Sequence, residues 1–234
     1  MKQFESHTGL VFFSRTSAQE ASRKKLFSDS TKQNYKVVDA LIQRSHKVAE
    51  KSGLPLFVFT EEQQTGSGFG EKLSSSVQSV FDKGFDKLII IGNDCPHLTS
   101  KNIQEAAFQL KTFDQVLAPT KKGGVSLMGF GRSNFNKKDF EGIRWQTSHV
   151  YNDIIWLANS TNTSIFHFPF LNDVNNNEEL QHELTKLSAL DSCKIFIQSI
   201  LASFYKRTSL FNLNFFCNKC LNASGLRAPP AAFQ

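Results

Sequence analysis

An acid at the end of a buried strand is the feature of this chain best placed to do chemistry. Leu88-Ile89-Ile90-Ile91 form an unbroken apolar run, the pattern of a central strand covered by helices on both faces. Gly92 lets the backbone turn, and Asn93 and Asp94 emerge at the carboxyl end. Ligands of open α/β sheets sit in the crevice beyond those ends, so a carboxylate there can hold a metal-bound phosphate. A single acid in a turn can also simply satisfy loop amides. Pro96 ends the turn, and Thr99 or Ser100 offers a cap for the next helix.

The elements that must position Asp94 alternate strand and helix, which predicts an α/β sheet with right-handed crossovers. Leu10 to Ser14 reads as the first strand and residues 32 to 51 as a helix, with Val37, Val38, Leu41, Ile42 and Val48 at helical spacing before Gly53 and Pro55. Leu56 to Thr60 is a strand, Phe69 to Phe81 a helix, and Ser100 to Thr112 the helix after the Asp94 turn. Gln115 to Pro119 and Ser126 to Phe130 read as strands joined by Lys121-Lys122-Gly123-Gly124, where paired glycines make a hairpin or admit a ligand to the backbone. A helix from Ser148 to Ala158, a strand from Ser164 to Phe168 and a polar loop with Asp173 follow. Residues 177 to 207 look helical, ending in an amphipathic segment from about 191. The reading is one large α/β domain over 1 to 207 and an irregular tail over 208 to 234.

Several motifs fall short of a known chemistry. Gly66-Ser67-Gly68-Phe69-Gly70-Glu71-Lys72 lacks the adjacent Gly-Lys-Ser/Thr of a P-loop and misses Gly-x-Gly-x-x-Gly by one residue. It remains a glycine loop at a helix N-terminus, where free amides attract anions. The six histidines show no pair at metal spacing, and no Gly-x-Ser-x-Gly occurs. Cys217 and Cys220 form a C-x-x-C pair without two further ligands nearby and read as incidental thiols.

With 234 residues the chain can bury a large core. The net charge of +6 favours anionic partners such as nucleotides or phosphosugars but confers no specificity. The basic residues occur only as short clusters, so nucleic acid is not expected. No stretch is apolar enough to span a bilayer, the first eight residues are polar, and four cysteines suit a reducing compartment, which together predict a cytoplasmic protein. The 23 phenylalanines point to an aromatic-rich core.

Several of these segments together resemble a bacterial family of uncharacterised proteins with a GT-A-type nucleotide-diphospho-sugar transferase fold, related to the molybdenum-cofactor and phospholactate nucleotidyltransferases. Ile91-Gly92-Asn93-Asp94-Cys95-Pro96-His97-Leu98-Thr99 is similar to the family's Ile-Gly-Thr-Asp-Cys-Pro-x-Leu-Thr. Phe69-Gly70-Glu71-Lys72-Leu73 resembles its Leu-Gly-Glu-Arg-Met/Leu, Gly123-Gly124 with Leu127-Met128-Gly129 its Gly-Gly-x-x-Leu-Ile-Gly, and Trp145-Gln146-Thr147-Ser148 its Trp-Ser-Thr-Pro. Leu171-Asn172-Asp173-Val174-Asn175 with Glu178-Glu179-Leu180 resembles its Pro-Asp-Val-Asp-Thr-x-Glu-Asp-Leu.

The resemblance implies a three-layer α/β sandwich with a mostly parallel central sheet. It further implies a glycosyl- or nucleotidyltransferase that binds a nucleotide sugar or nucleoside triphosphate through Mg²⁺ or Mn²⁺ on Asp94, with an unspecified acceptor. Asp173 would complete the metal site or act as base. Arg15, Arg23 and Lys25 would neutralise phosphate, Gly70 would start the family's glycine-loop helix, Gly123 and Gly124 would admit substrate, and Trp145 would shape the acceptor pocket or pack in the core. The chain departs from the pattern where phosphate and metal are handled. Ser17, Gln19 and Glu20 replace the prolines and glycine of the loop after strand one, and Lys122 and Asn175 stand where the family has acids. Those losses weaken a cation site and motivate an alternative: a catalytically degenerate nucleotide-binding or regulatory protein on the same fold.

Overall fold

A computed structural model describes residues 8–27 and 30–203. In chain order the elements are β1 (Thr8–Phe13), α1 (Ser17–Arg23), α2 (Thr31–Glu50), β2 (Leu56–Phe59), α3 (Phe69–Phe81), β3 (Lys87–Ile91), α4 (Ser100–Gln109), β4 (Gln115–Pro119), β5 (Val125–Gly131), α5 (Lys137–Gly142), α6 (Val150–Ser160), β6 (Ile165–His167) and α7 (Asn177–Lys186). The chain divides into two compact units, Met1–Ala189 and Leu190–Gln234. The described part of the second is a helix over 192–203. Where one helical stretch is expected over 177 to 207, the chain leaves the helix after Lys186, with Leu187 in an extended conformation. The anticipated tail, with Cys217 and Cys220, lies outside the described residues.

The six strands form one sheet in the order β2-β1-β3-β5-β4-β6. β1 pairs in parallel with β2 and β3, β4 pairs in parallel with β6, and β5 runs against both β3 and β4. The sheet is therefore mostly parallel, with one reversed strand near its middle. Alternating residues of the central strands face opposite layers, as a two-residue period requires. Val11, Leu88, Ile90, Leu117, Met128 and Phe130 pack under α3, α5 and α6 through Leu73, Val77, Val80, Phe81, Phe140, Ile143, Val150 and Ile154. α2 and α4 contact each other and the strands β1 and β3 respectively; Phe12 meets His46 of α2 edge-on at 5.7 Å. Burying each large side chain of these layers contributes roughly 1.5–3 kcal/mol.

The phenylalanine content has a structural use. Rings at 5.0 to 6.1 Å run from Phe13 through Phe69, Trp145 and Phe140 to Phe130 and Phe81. Such edge-on and tilted pairs add about 0.5–1.5 kcal/mol each beyond area burial.

The register sets what meets at one end of the sheet. Phe12 is level with Ile91, and Ile91 is level with Leu127 of the reversed strand. The chain leaving β1, the chain leaving β3 and the chain entering β5 therefore all emerge together. β4 and β5 slip register between Ala118 and Pro119, pairing Pro119 with Val125, and the turn at 120–124 lies at the same end.

Candidate functional site

A cleft of about 1120 Å³ opens at these strand ends. Its floor is Ile91, Gly92, Asn93 and Asp94, and its walls come from the β1 exit, α1, the start of α3, the 120–126 hairpin, the 145–148 turn and the 173–175 loop. Arg15, Arg23, Lys24, Lys72 and Lys122 line it beside the acids Glu20, Glu61, Asp94 and Asp173.

The loop after β1 is a short helix. Its polar run Ser17–Arg23 carries no apolar period, so a helix was not legible there; Thr16 precedes it and gives its N–H and hydroxyl to Glu61 at 2.6 and 2.5 Å. This helix turns Glu20 inward, where its side chain is 4% exposed between Arg15 at 3.2 Å and Lys24 at 3.1 Å. Lys24, just past the helix, reaches across and donates from Nζ to Asp94 Oδ1 as well. Burial alone would pull the Lys24 ammonium down, but Asp94 and Glu20 outweigh it and hold it above its ordinary value. Glu20, one of the residues that replace the family's loop after strand one, is thus committed to two cations of the chain.

Asp94 stands at the cleft floor with 46% of its side chain accessible. The surrounding protein pushes its carboxyl above the ordinary value by desolvation; Lys24 pulls it down, and the negative charges of Glu20 and Asp173 push it up again. Asp173 is brought alongside by two stitches between loops: Val174 N donates to Asp94 O at 2.8 Å, and the Cys95 thiol donates to Asn172 O at 3.3 Å. Beneath them, buried Glu183 accepts from Asn172 Nδ2 and Lys186 Nζ, each at 2.8 Å, and lies 2.9 Å from His97 Nε2.

Both departures at the acidic positions have partners here. Asn175 donates from Nδ2 to Asp173 Oδ2 at 2.8 Å, and its backbone N–H goes to Glu179 Oε2 at 2.9 Å. Lys122 Nζ lies 2.6 Å from Glu179 Oε2 and 4.0 Å from Asp173 Oδ2. Each cleft aspartate therefore has an ammonium group close by. Among the described residues there is no cluster of three or more His, Cys, Asp or Glu able to hold a metal.

The remaining expected site residues separate into two sets. Arg15, Arg23, Gly124 and Trp145 line the cleft with Asp94 and Asp173. Lys25, Gly70 and Gly123 do not. Lys25 forms a bridge with Asn176 through its backbone. A side chain at Gly70 would sit 2.9 Å from Glu141 O and from Trp145 Cδ1, so this glycine lets α3 approach α5. Gly123 has φ +82 and lies against the Ser148 carbonyl, where a Cβ would collide; its role is to seat the hairpin on the start of α6. Trp145 closes its own polar end by donating from Nε1 to Phe140 O at 2.8 Å, and packs on Phe69 and Phe140. At the glycine loop, the Glu71 carboxylate takes the Ser67 N–H and hydroxyl at 2.8 Å each, so those donors are already used. Lys24 and Lys72 are cleft cations that sequence reasoning missed. The Glu20–Lys24 spacing of four, a helical ion-pair signature, was the available signal for the first.

None of the curated protein sequences matches this chain. Among solved structures it is similar to a protein from Desulfovibrio desulfuricans G20 provisionally assigned as a nucleotide-diphospho-sugar transferase, with a TM-score of 0.76 and 20% identity over 84% of this chain and 96% of that one. It is also similar to Rv0371c from Mycobacterium tuberculosis H37Rv, with a TM-score of 0.52 and 11% identity over 77% of this chain and 98% of that one. At such identities the likeness concerns the fold, which is that of the nucleotide-diphospho-sugar transferases. No helix of the described residues is long and apolar enough to cross a membrane. Residues 28–147, about half of the chain, match the family described as uncharacterized protein conserved in bacteria (DUF2064), and the chain belongs to that family.

Proposed function

We propose that the cleft binds the phosphates of a nucleotide sugar or a nucleoside triphosphate and that the protein transfers a glycosyl or nucleotidyl group to an acceptor hydroxyl. The observation that carries this reading is an accessible carboxylate, Asp94, at the carboxyl end of the central strand, in a cleft lined also by the cations Arg15, Arg23, Lys72 and Lys122. In glycosyl transfer the acceptor oxygen would bond to the anomeric carbon, the bond from that carbon to the phosphate oxygen would break, and a nucleoside diphosphate would leave. In nucleotidyl transfer the oxygen would bond to the α-phosphorus and pyrophosphate would leave. Either way the acceptor's proton goes to a base, the role we give Asp173 when Asp94 alone holds the ion, and Arg15, Arg23 and Lys72 offset the negative charge growing on the leaving phosphate.

The donor set fits one hard cation, Mg²⁺ or Mn²⁺. Asp94 and Asp173 are oxygen ligands, and such an ion commonly takes one or two carboxylates with phosphate oxygens and water supplying the rest. Lys24 already stands at Asp94 as a cation in that position. When bound, the ion would polarise the phosphate and stabilise the leaving charge.

A second reading is favoured by the two ammonium groups near Asp94 and Asp173: a protein that binds nucleotide phosphates through lysine without metal and does not turn over. Calorimetry with UDP- and GDP-sugars and nucleoside triphosphates, with and without Mn²⁺, separates the two. The first reading expects Mn²⁺ to tighten binding of a donor and Asp94→Ala to remove that gain, about tenfold or ~1.4 kcal/mol. Unchanged affinity in the variant would remove the metal role, and binding without transfer across the donor panel would favour the second reading.

A further inference from the structure

We infer that Lys24 is an exchangeable counter-ion of Asp94, released to an incoming phosphate, so that divalent cation and phosphate enter the cleft as a pair. The inference rests on the reading above, in which Asp94 takes the ion. Three features carry it. Lys24 Nζ is shared between Asp94 and Glu20, and Glu20 is the fixed end: it is buried and held by Arg15 on its other oxygen. An ammonium has three donors, so Lys24 can keep Glu20 and exchange its second partner. Asp94, in contrast, is open to the cleft and, among the described residues, contacts a single side chain of opposite charge.

A divalent ion arriving alone at Asp94 meets the positive charge of Lys24, whose side chain is only 14% exposed and so is little screened by water. A phosphate arriving with it gives Lys24 a new anion and frees the carboxylate. The two ligands must then favour each other equally, since coupling between binding sites is reciprocal. Lys122 is differently placed, because its 2.6 Å contact is with Glu179 and Asp173 keeps its bond from Asn175.

The test counts free Mn²⁺ by electron paramagnetic resonance, with sulfate as the phosphate probe and chloride at equal ionic strength as its control. Wild type should bind Mn²⁺ weakly in chloride and more tightly in sulfate. Lys24→Met should bind Mn²⁺ alone about tenfold more tightly than wild type, ~1.4 kcal/mol, and lose the response to sulfate. If Asp94→Asn abolishes Mn²⁺ binding while Lys24→Met binds no more tightly than wild type, the exchange is wrong and the metal reading stands. If Asp94→Asn binds as wild type does, the metal reading falls and this inference with it. Should Lys24→Met fail to fold, wild type alone decides: Mn²⁺ affinity indifferent to sulfate overturns the proposal.

Discussion

Replacing Glu20 with glutamine keeps the shape of a buried side chain and removes the charge that joins Arg15 to Lys24. Breaking a fully buried ion pair by removing one partner costs about 3–5 kcal/mol, because the other charge is left uncompensated. Here the loss is smaller for two structural reasons. The Arg15 side chain is 31% exposed and can hydrate, and Lys24 keeps its bond to Asp94. We expect destabilisation of about 2 kcal/mol, between that figure and the ~1 kcal/mol of an ordinary hydrogen bond. In a unit of this size that lowers the melting temperature by roughly 4–8 °C, at 2–4 °C for each kcal/mol. Urea unfolding should show a lower midpoint at unchanged slope, the sign of altered stability with unaltered compactness. A cycle with Lys24→Met should show the two changes coupled by at least ~0.5 kcal/mol, as residues in one charge network are. Stability within about 0.5 kcal/mol of wild type, the range of an ordinary surface substitution, or strict additivity in the cycle, would refute the view that Glu20 anchors Lys24.

Three further outcomes are expected. The Asp153 carboxyl takes the Arg144 N–H, Nε and Nη2, which hold it at about 2 against an ordinary 3.8; its small, screened contribution to stability is present above pH 3.8 and lost as the pH falls toward 2. A carboxyl NMR titration with a midpoint near 3.8 would contradict this. Gly123→Ala forces a side chain into a positive-φ position against the Ser148 carbonyl, and thermal unfolding should register a loss of about 1–3 kcal/mol. Burial pushes the Cys95 thiol up to about 12, so mass-mapped alkylation at pH 8 should leave Cys95 unmodified in native protein and label it in urea; rapid native labelling would show that it is not enclosed.

The fold was legible where hydrophobic period was strong. Phe69 to Phe81 and Gln115 to Pro119 are the observed α3 and β4, because each presents an uninterrupted apolar face to the sheet. α1 was not legible because its seven residues include no large apolar side chain and its ends are held by the Glu20 ion pairs and the Glu61 contact, which lie outside local pattern. The break after α7 was likewise hidden, since Leu184, Leu187 and the apolar residues beyond continue a helical spacing across it. In the cleft, the position of Asp94 at the mouth of the sheet was readable from strand topology, while its role was left open between ligand binding and the loop amides. The basic run Arg23-Lys24-Lys25 shows the limit: three adjacent cations are equivalent in composition, yet Arg23 and Lys24 reach the cleft while Lys25 bridges Asn176. Neighbouring side chains point in different directions, and only the path of the backbone after α1 decides which is which.

The reversal of β5 has a consequence for how such a protein can diversify. A parallel neighbour for β3 would have required a crossover helix, whereas the antiparallel one needs only the short tip between Thr120 and Gly124. That tip delivers Thr120, Lys122 and Gly124 to the cleft from a single hairpin whose strands are anchored deep in the sheet. With Gly123 kept on its seat against α6, the residue at 122 can change in charge without moving either strand, which makes this position the natural handle for altering what the protein accepts.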